Sequence, residues 1–122
     1  MKKLLMAVLA GLFLFTVSFA LTAGEMPKAP EKVTINEVQK RKKPVTFNHG
    51  WHAKKFGCKK CHHKWNGKGE PRKCSECHKA KKSGKAPKAM KAYHKRCKGC
   101  HKKMKKEGKK TGPTSCKKCH KG

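Results

Sequence analysis

The chain has 122 residues, and its 34 lysines and arginines against six acidic residues give a formal net charge of +28. Nearly all of the basic charge is lysine, since Arg41, Arg72 and Arg96 are the arginines. Nucleic-acid recognition relies on the bidentate contacts of arginine, whereas lysine suits loose, fast encounters with acidic surfaces. The composition therefore argues against a nucleic-acid-binding protein and favours acidic protein partners.

The N-terminus has the features of a secretory signal peptide. Lys2 and Lys3 precede an apolar run over residues 4–15, which is too short to span a bilayer comfortably, and small residues follow at 18–24. We place the signal peptide in residues 1–23, with cleavage between 20 and 24, and one domain in residues 24–122. An uncleaved membrane anchor is the alternative. After cleavage we expect a periplasmic protein that does not insert into the membrane.

The predicted domain lacks the side chains for an ordinary hydrophobic core. Residues 24–122 contain no leucine, and their branched aliphatic residues are Val33, Ile35, Val38 and Val45. Burying so few side chains at about 25 cal/mol per Å² cannot offset the entropy lost on ordering the chain. All eight cysteines lie in this region. We therefore expect the core to depend on groups bound through cysteine.

The predicted secondary structure is sparse. Residues 32–35 and 44–47 alternate apolar and polar side chains, which predicts two short strands joined by a basic turn at 39–43. Short helices are predicted at 90–95 and at 101–106, the second ending near Gly108. From Asn48 onward, cysteine and histidine organise the chain, with lysine and glycine between them.

Four copies of Cys-x-x-Cys-His carry the chemistry. In a c-type haem site the two thiols add to the haem vinyl groups as thioethers, and the adjacent histidine becomes the proximal iron ligand. The motifs therefore predict four covalently attached haem c groups. Their residues are Cys58, Cys61 and His62; Cys74, Cys77 and His78; Cys97, Cys100 and His101; and Cys116, Cys119 and His120.

Zinc sites, disulfides and thioredoxin-like redox pairs also use paired cysteines. None of these alternatives requires a histidine directly after every second cysteine. A secreted location also disfavours a reduced zinc cluster. The motif therefore favours haem over all three.

Four histidines remain outside the motifs, one for each predicted haem: His49, His52, His63 and His94. Two histidines on each iron would leave no open coordination position, which favours electron transfer over catalysis and a low reduction potential. Met90 and Met104 are the competing ligands. His62 and His63 are neighbours and must serve different haems, whereas His49 and His52 share one face of a helical turn and could each reach a separate iron.

These residues resemble the tetrahaem cytochrome c3 family, the class III cytochromes c. The resemblance runs from about residue 42 to residue 120 and is most specific in Lys43–His49, His52, the run Cys61-His62-His63 and the four motifs. It implies that the first haem is ligated by His62 and His49, the second by His78 and His63, the third by His101 and His52, and the fourth by His120 and His94. Unlike many members of the family, this chain has two-residue gaps in all four motifs.

The resemblance implies a small multihaem cytochrome, mainly α and irregular, with a short N-terminal β-hairpin and a core formed by four haems. It also implies a monomeric periplasmic electron carrier of anaerobic and sulfate respiration, not an enzyme. Its partners would be acidic redox proteins such as periplasmic hydrogenase and membrane-associated cytochrome complexes. A lysine patch at the fourth haem is the family's usual docking surface. The alternatives are a multihaem reductase of extracellular metal ions or oxyanions and, from another class, a basic zinc protein that binds nucleic acid.

Overall fold

The structure is a computed structural model that describes residues 26–36 and 41–122. The predicted signal peptide and its cleavage positions lie outside these residues, as does part of the predicted hairpin turn. The division of the chain into signal peptide and domain stays a prediction.

The predicted hairpin is confirmed. Strand β1 (Val33–Ile35) pairs antiparallel with β2 (Val45–Phe47), and Thr34 lies opposite Thr46 in the centre of the ladder. In both strands the apolar side chains are half-buried and the central threonine is exposed, as the alternating sequence predicts. The hairpin leads through Asn48 directly into the first helix and so fixes where that helix begins.

Five short α-helices follow, and most of them coincide with haem motifs or predicted ligands. The first helix is followed by Gly57, whose φ of 75° is a backbone conformation that favours glycine. The first motif contains a 3₁₀ turn at Cys58–Lys60, and the second and fourth motifs each form a helix of their own. The helices are α1 (His49–Phe56), α2 (Cys74–Cys77), α3 (Ala89–Tyr93), α4 (Gly99–Lys106) and α5 (Cys116–Cys119).

Helices α3 and α4 belong to one continuous helical run. A π-helical turn, His94–Lys98, joins them, and at its end the Gly99 N–H donates to the His94 carbonyl five residues back. The predictions of helix at 90–95 and 101–106 are thus confirmed, but the sequence did not indicate that the two would be continuous. Single π turns inside α-helices are often found at functional sites. Here the turn carries a predicted ligand, His94, and the first cysteine of the third motif, Cys97.

Side chains alone form almost no core. Among the described residues, Ala89 is the one buried hydrophobic residue and no polar or charged residue is buried. Trp51 remains 50% exposed and Met90 57% exposed. The scarcity of buried side chains supports the prediction that bound groups supply the core. Within the described residues, no helix is long and apolar enough to cross a membrane.

Candidate haem-binding site

The histidines lie in four pairs, each combining one ring from a Cys-x-x-Cys-His motif with one ring from outside the motifs. These are the same four pairs that the family resemblance implies. The ring centroids lie 6.1 Å apart for His49 and His62, 6.0 Å for His63 and His78, 6.3 Å for His52 and His101, and 6.5 Å for His94 and His120.

These separations fit one metal ion between the two rings of each pair. A metal–nitrogen bond of about 2 Å on either side, plus the radius of each ring, puts two axial imidazole centroids about 6 Å apart. Within the described residues, no group of three or more histidine, cysteine or acidic side chains could hold a metal ion. Two imidazoles are too few donors to hold a metal ion alone, so these pairs suit an ion that a macrocycle also ligates.

Hydrogen bonds to backbone carbonyls orient six of the eight imidazoles. In each bond the ring nitrogen Nδ1 lies 2.7–3.0 Å from a carbonyl oxygen. The partners are Pro30 for His49, Asn48 for His52, Arg72 for His62, Pro87 for His78, Pro113 for His101 and Lys43 for His120.

The carbonyl partners decide the tautomer of these rings. A carbonyl oxygen can only accept, so Nδ1 carries the proton and the lone pair of a neutral ring is on Nε2. An imidazole that donates through one nitrogen and ligates a metal through the other is the usual arrangement at metal sites. The backbone therefore prepares these histidines for ligation through Nε2.

Helix α1 places two of the non-motif histidines. His49 and His52 lie three residues apart on this helix, and they pair with the first and third motifs respectively. The N-terminal segment is fastened to the same helix, because the Gly50 N–H donates to the Glu31 carbonyl at 3.0 Å and Lys54 forms an ion pair with the Glu31 carboxylate at 3.3 Å.

All eight cysteines are free of disulfides, and sulfurs from different motifs lie near one another. Burial, and to a lesser extent nearby Cys61 and Cys74, raise the pKa of the Cys97 thiol to about 11. Burial also raises the pKa of Cys61 and of Cys74. The Cys97 side chain is nevertheless open to solvent, so its high pKa reflects crowding by protein atoms beside an open surface. The Cys97 thiol therefore has cysteines of the first, second and fourth motifs among its neighbours.

His63 has a pKa below its usual value. Burial is the largest cause, and the positive charge of Arg96 and the neighbouring His78 lower the pKa further. A lowered pKa keeps the imidazole neutral, and only the neutral ring offers a lone pair to a metal.

A basic cleft adjoins the fourth motif. Its volume is about 230 Å³, and it is lined by Arg41, Lys42, Lys43, Cys116, Lys117 and His120. The chain end closes over the neighbouring strand, since His120 donates to the Lys43 carbonyl and the Gly122 N–H donates to the Pro44 carbonyl. The cleft therefore gathers basic side chains from residues 41–43 beside His120.

Sequence reasoning missed the residues that orient the ligands. Three of the six carbonyl acceptors belong to prolines, so a proline about ten residues after a motif histidine (Pro87 after His78, Pro113 after His101) was the signal available. Gly112 was also missed. A Cβ added there would lie 2.5 Å from Cε1 of His101, so only glycine lets this loop pack against the ring.

The sequence and the fold are similar to those of known multihaem cytochromes. The family model described as the class III cytochrome C family matches residues 23–120. Cytochrome c3 of Maridesulfovibrio salexigens is 49% identical over 87 residues, which cover 65% of this chain and 79% of that protein. Cytochrome c3 of Desulfovibrio desulfuricans is 45% identical over 82 residues, with the same shares covered.

A solved structure shares the fold. The di-tetraheme cytochrome c3 of Desulfovibrio gigas superposes with a TM-score of 0.61 at 31% identity, covering 76% of this chain and 97% of that one. The family match spans most of the chain and includes all four motifs. The chain therefore belongs to the class III cytochrome c family, whose members bind c-type haem and transfer electrons.

Proposed function

We propose that this protein is a periplasmic electron carrier with four haem c groups, each ligated by two histidines. The observation that carries the proposal is the set of four imidazole pairs, each 6.0–6.5 Å between centroids and each built from one motif histidine and one non-motif histidine. The assignments are His62 with His49, His78 with His63, His101 with His52, and His120 with His94.

The cysteines and histidines have separate tasks in this proposal. Two cysteines of each motif tether the macrocycle, and the paired imidazoles hold the iron from both sides. When bound, haem iron supplies a one-electron couple whose potential its ligands and surroundings set. Because two histidines complete the coordination, electrons pass to and from the haem without a substrate binding at iron. These arrangements favour a carrier over a reductase.

The backbone ties the pairs into one cluster. His62 and His63 are adjacent but belong to the first and second pairs, and helix α1 carries His49 of the first pair and His52 of the third. The helical run from Ala89 to Lys106 carries His94 of the fourth pair and the third motif. Each predicted haem would thus share a short segment of chain with another, which would keep the distances for electron hopping short.

A haem count tests the proposal. Protein made in a host with cytochrome c maturation should show a mass that corresponds to four haems and to cleavage between residues 20 and 24. Optical and EPR spectra should be those of low-spin, bis-histidine haem. A variant with Cys74→Ala, Cys77→Ala and His78→Ala should retain three haems and lose the second.

Carbon monoxide binding separates the carrier from the reductase. The ferrous wild-type protein should not bind carbon monoxide until it is denatured, because both axial positions are filled. A wild-type protein with fewer than four haems, or one that binds carbon monoxide in the native state, would contradict the proposal.

A further inference from the structure

One carboxylate connects the second motif to the proximal histidine of the first. The Glu76 side chain accepts a hydrogen bond from the Lys73 N–H at 2.9 Å and another from Arg72 Nε at 2.9 Å. On the other side, His62 Nδ1 donates to the Arg72 carbonyl at 3.0 Å. The peptide group between Arg72 and Lys73 therefore has a carboxylate at its N–H end and the imidazole of His62 at its C=O end.

Such a chain of hydrogen bonds transmits charge. An anion at the N–H end polarises the amide, which makes its carbonyl oxygen a stronger acceptor. A stronger acceptor draws the Nδ1 proton away from the imidazole and makes the ring a more basic ligand. A more basic ligand stabilises ferric over ferrous iron and so lowers the reduction potential.

We propose that Glu76 tunes the haem ligated by His62, acting through the Arg72–Lys73 peptide although Glu76 lies in the attachment motif of the next haem. The proposal rests on the proposed function, since it requires His62 to be an axial ligand. Glu76 is a positioning and polarising residue here, because it touches neither the iron nor the imidazole.

Two simpler roles for Glu76 predict different results. Glu76 accepts the N–H of the residue that precedes α2, which is one half of a capping box, and it could serve only to stabilise that helix. Its ion pair with Arg72 is exposed, and exposed ion pairs contribute little to stability. Alternatively, its charge could act directly through space, in which case the second haem, whose motif contains Glu76, would respond most.

The fourth motif provides an internal contrast. His120 donates to the Lys43 carbonyl at 2.8 Å, and the nitrogen of that peptide belongs to Pro44. A proline nitrogen carries no hydrogen, so this peptide cannot be polarised from its far end. The relay from Glu76 through the Arg72–Lys73 peptide to His62 therefore has no counterpart at His120.

Glu76→Gln tests the relay in the four-haem protein, because it keeps the shape of the side chain and removes the charge. Glu107→Gln is the matched control, since Glu107 is another ion-paired carboxylate, held by Lys109 at 2.7 Å, outside the relay. The four midpoint potentials are assigned individually by NMR of stepwise oxidised samples. In Glu76→Gln the reduced-to-oxidised ratio of the first haem at a fixed potential should rise about threefold, which is about 28 mV on the one-electron scale. The second haem should shift less, and Glu107→Gln should shift neither.

The Nδ1 proton of His62 gives a second readout. In the fully reduced, diamagnetic protein its resonance should move upfield in Glu76→Gln, as the hydrogen bond weakens, and stay in place in Glu107→Gln. Arg72→Gln removes the ion pair but leaves the carboxylate on the Lys73 N–H, so the potential of the first haem should fall or stay unchanged. If the ion pair merely held the loop, Arg72→Gln and Glu76→Gln would shift this haem in the same direction.

Three results would overturn the relay: an unchanged first haem in Glu76→Gln, a second haem that shifts as much as the first, or a His62 proton that does not move. The haem content of each variant is measured first. Fewer than four haems in the wild type would defeat the proposed function instead, so the two failures are distinguishable.

Discussion

Two copies of one pentapeptide stand in different surroundings in this molecule. Residues 58–62 and 116–120 both read Cys-Lys-Lys-Cys-His, so the predicted haem attachment and the charges within the two motifs are the same. The first forms a 3₁₀ turn and the other a short α-helix. The acceptor of His62 is a peptide that a carboxylate polarises, whereas the acceptor of His120 is a peptide whose nitrogen belongs to proline.

The charges beyond the motif reinforce this difference. Outside the motif, the cleft beside His120 is lined by Arg41, Lys42 and Lys43, and positive charge near a haem favours its reduced form. The anionic relay at His62 favours the oxidised form. Because the attachment sequences are identical, surroundings alone should give the first haem a lower potential than the fourth. If this order holds, the motif would determine which cofactor is bound, while residues outside the motif would set its potential.

The largest expected effect comes from replacing the non-motif histidines that are predicted to ligate the first and fourth haems. His49→Met and His94→Met should each raise the potential of its own haem by on the order of 0.1 V, because a thioether favours ferrous iron and axial ligands span roughly 0.8 V in proteins. Assigned redox titrations should show the fourth haem remaining above the first when the two variants are compared. A first haem with a higher potential than the fourth would contradict the expected order. A shift at a different haem would show that the ligand pairing is wrong.

Neutralising the basic cleft should have a smaller effect. Lys42→Gln with Lys117→Gln should slow reduction by a hydrogenase with an acidic docking surface by on the order of threefold at low salt, because the lysines steer the encounter. The fourth haem should become harder to reduce, and the first should not change. Stopped-flow rates across a range of ionic strength provide the measurement.

Lys81→Gln with Lys82→Gln is the matched control for the cleft, since both lysines are exposed on the connector between the second and third motifs and the loss of charge is equal. Equal slowing by the two double variants would indicate that only net charge matters, with no localised docking surface.

The smallest expected effect tests whether Pro44, which has no N–H, keeps the Lys43 carbonyl from being polarised. Pro44→Ala gives the peptide that follows Lys43 an N–H, but the surrounding cleft is cationic, so the potential of the fourth haem should stay where it is. The free energy of unfolding should fall by roughly 0.4–1 kcal/mol, because alanine leaves the unfolded chain more freedom. Thermal denaturation and an assigned redox titration measure both quantities. A lowered potential at the fourth haem would mean that an N–H alone can polarise the carbonyl, without an anion.

Much of this arrangement could be predicted because it is local or repeated. The Cys-x-x-Cys-His motifs need no fold to be recognised, and the hairpin follows from alternating side chains in two three-residue strands. The pairing of particular histidines came from the family resemblance. The structure brings those same rings together, and their role as iron ligands stays a prediction.

The carbonyl acceptors could not be predicted, because they depend on the path of loops that carry no periodic pattern. The acceptor of His120 lies 77 residues away in sequence, and that of His62 lies ten away, beyond a loop rich in lysine and glycine. The Glu76 relay needs two such contacts on a single peptide group. A contact to a backbone group leaves no trace in the side chain of the residue that supplies that group.

The π turn at His94–Lys98 determines how two ligands seven residues apart come to serve two different haems. In a regular α-helix, positions i and i+7 differ by only about 20° around the axis, so His94 and His101 would project toward the same side. The wider turn absorbs one extra residue, which rotates His94 by about 100° relative to His101. One added residue in a helix is thus enough to turn two histidine side chains that would share a side toward different directions.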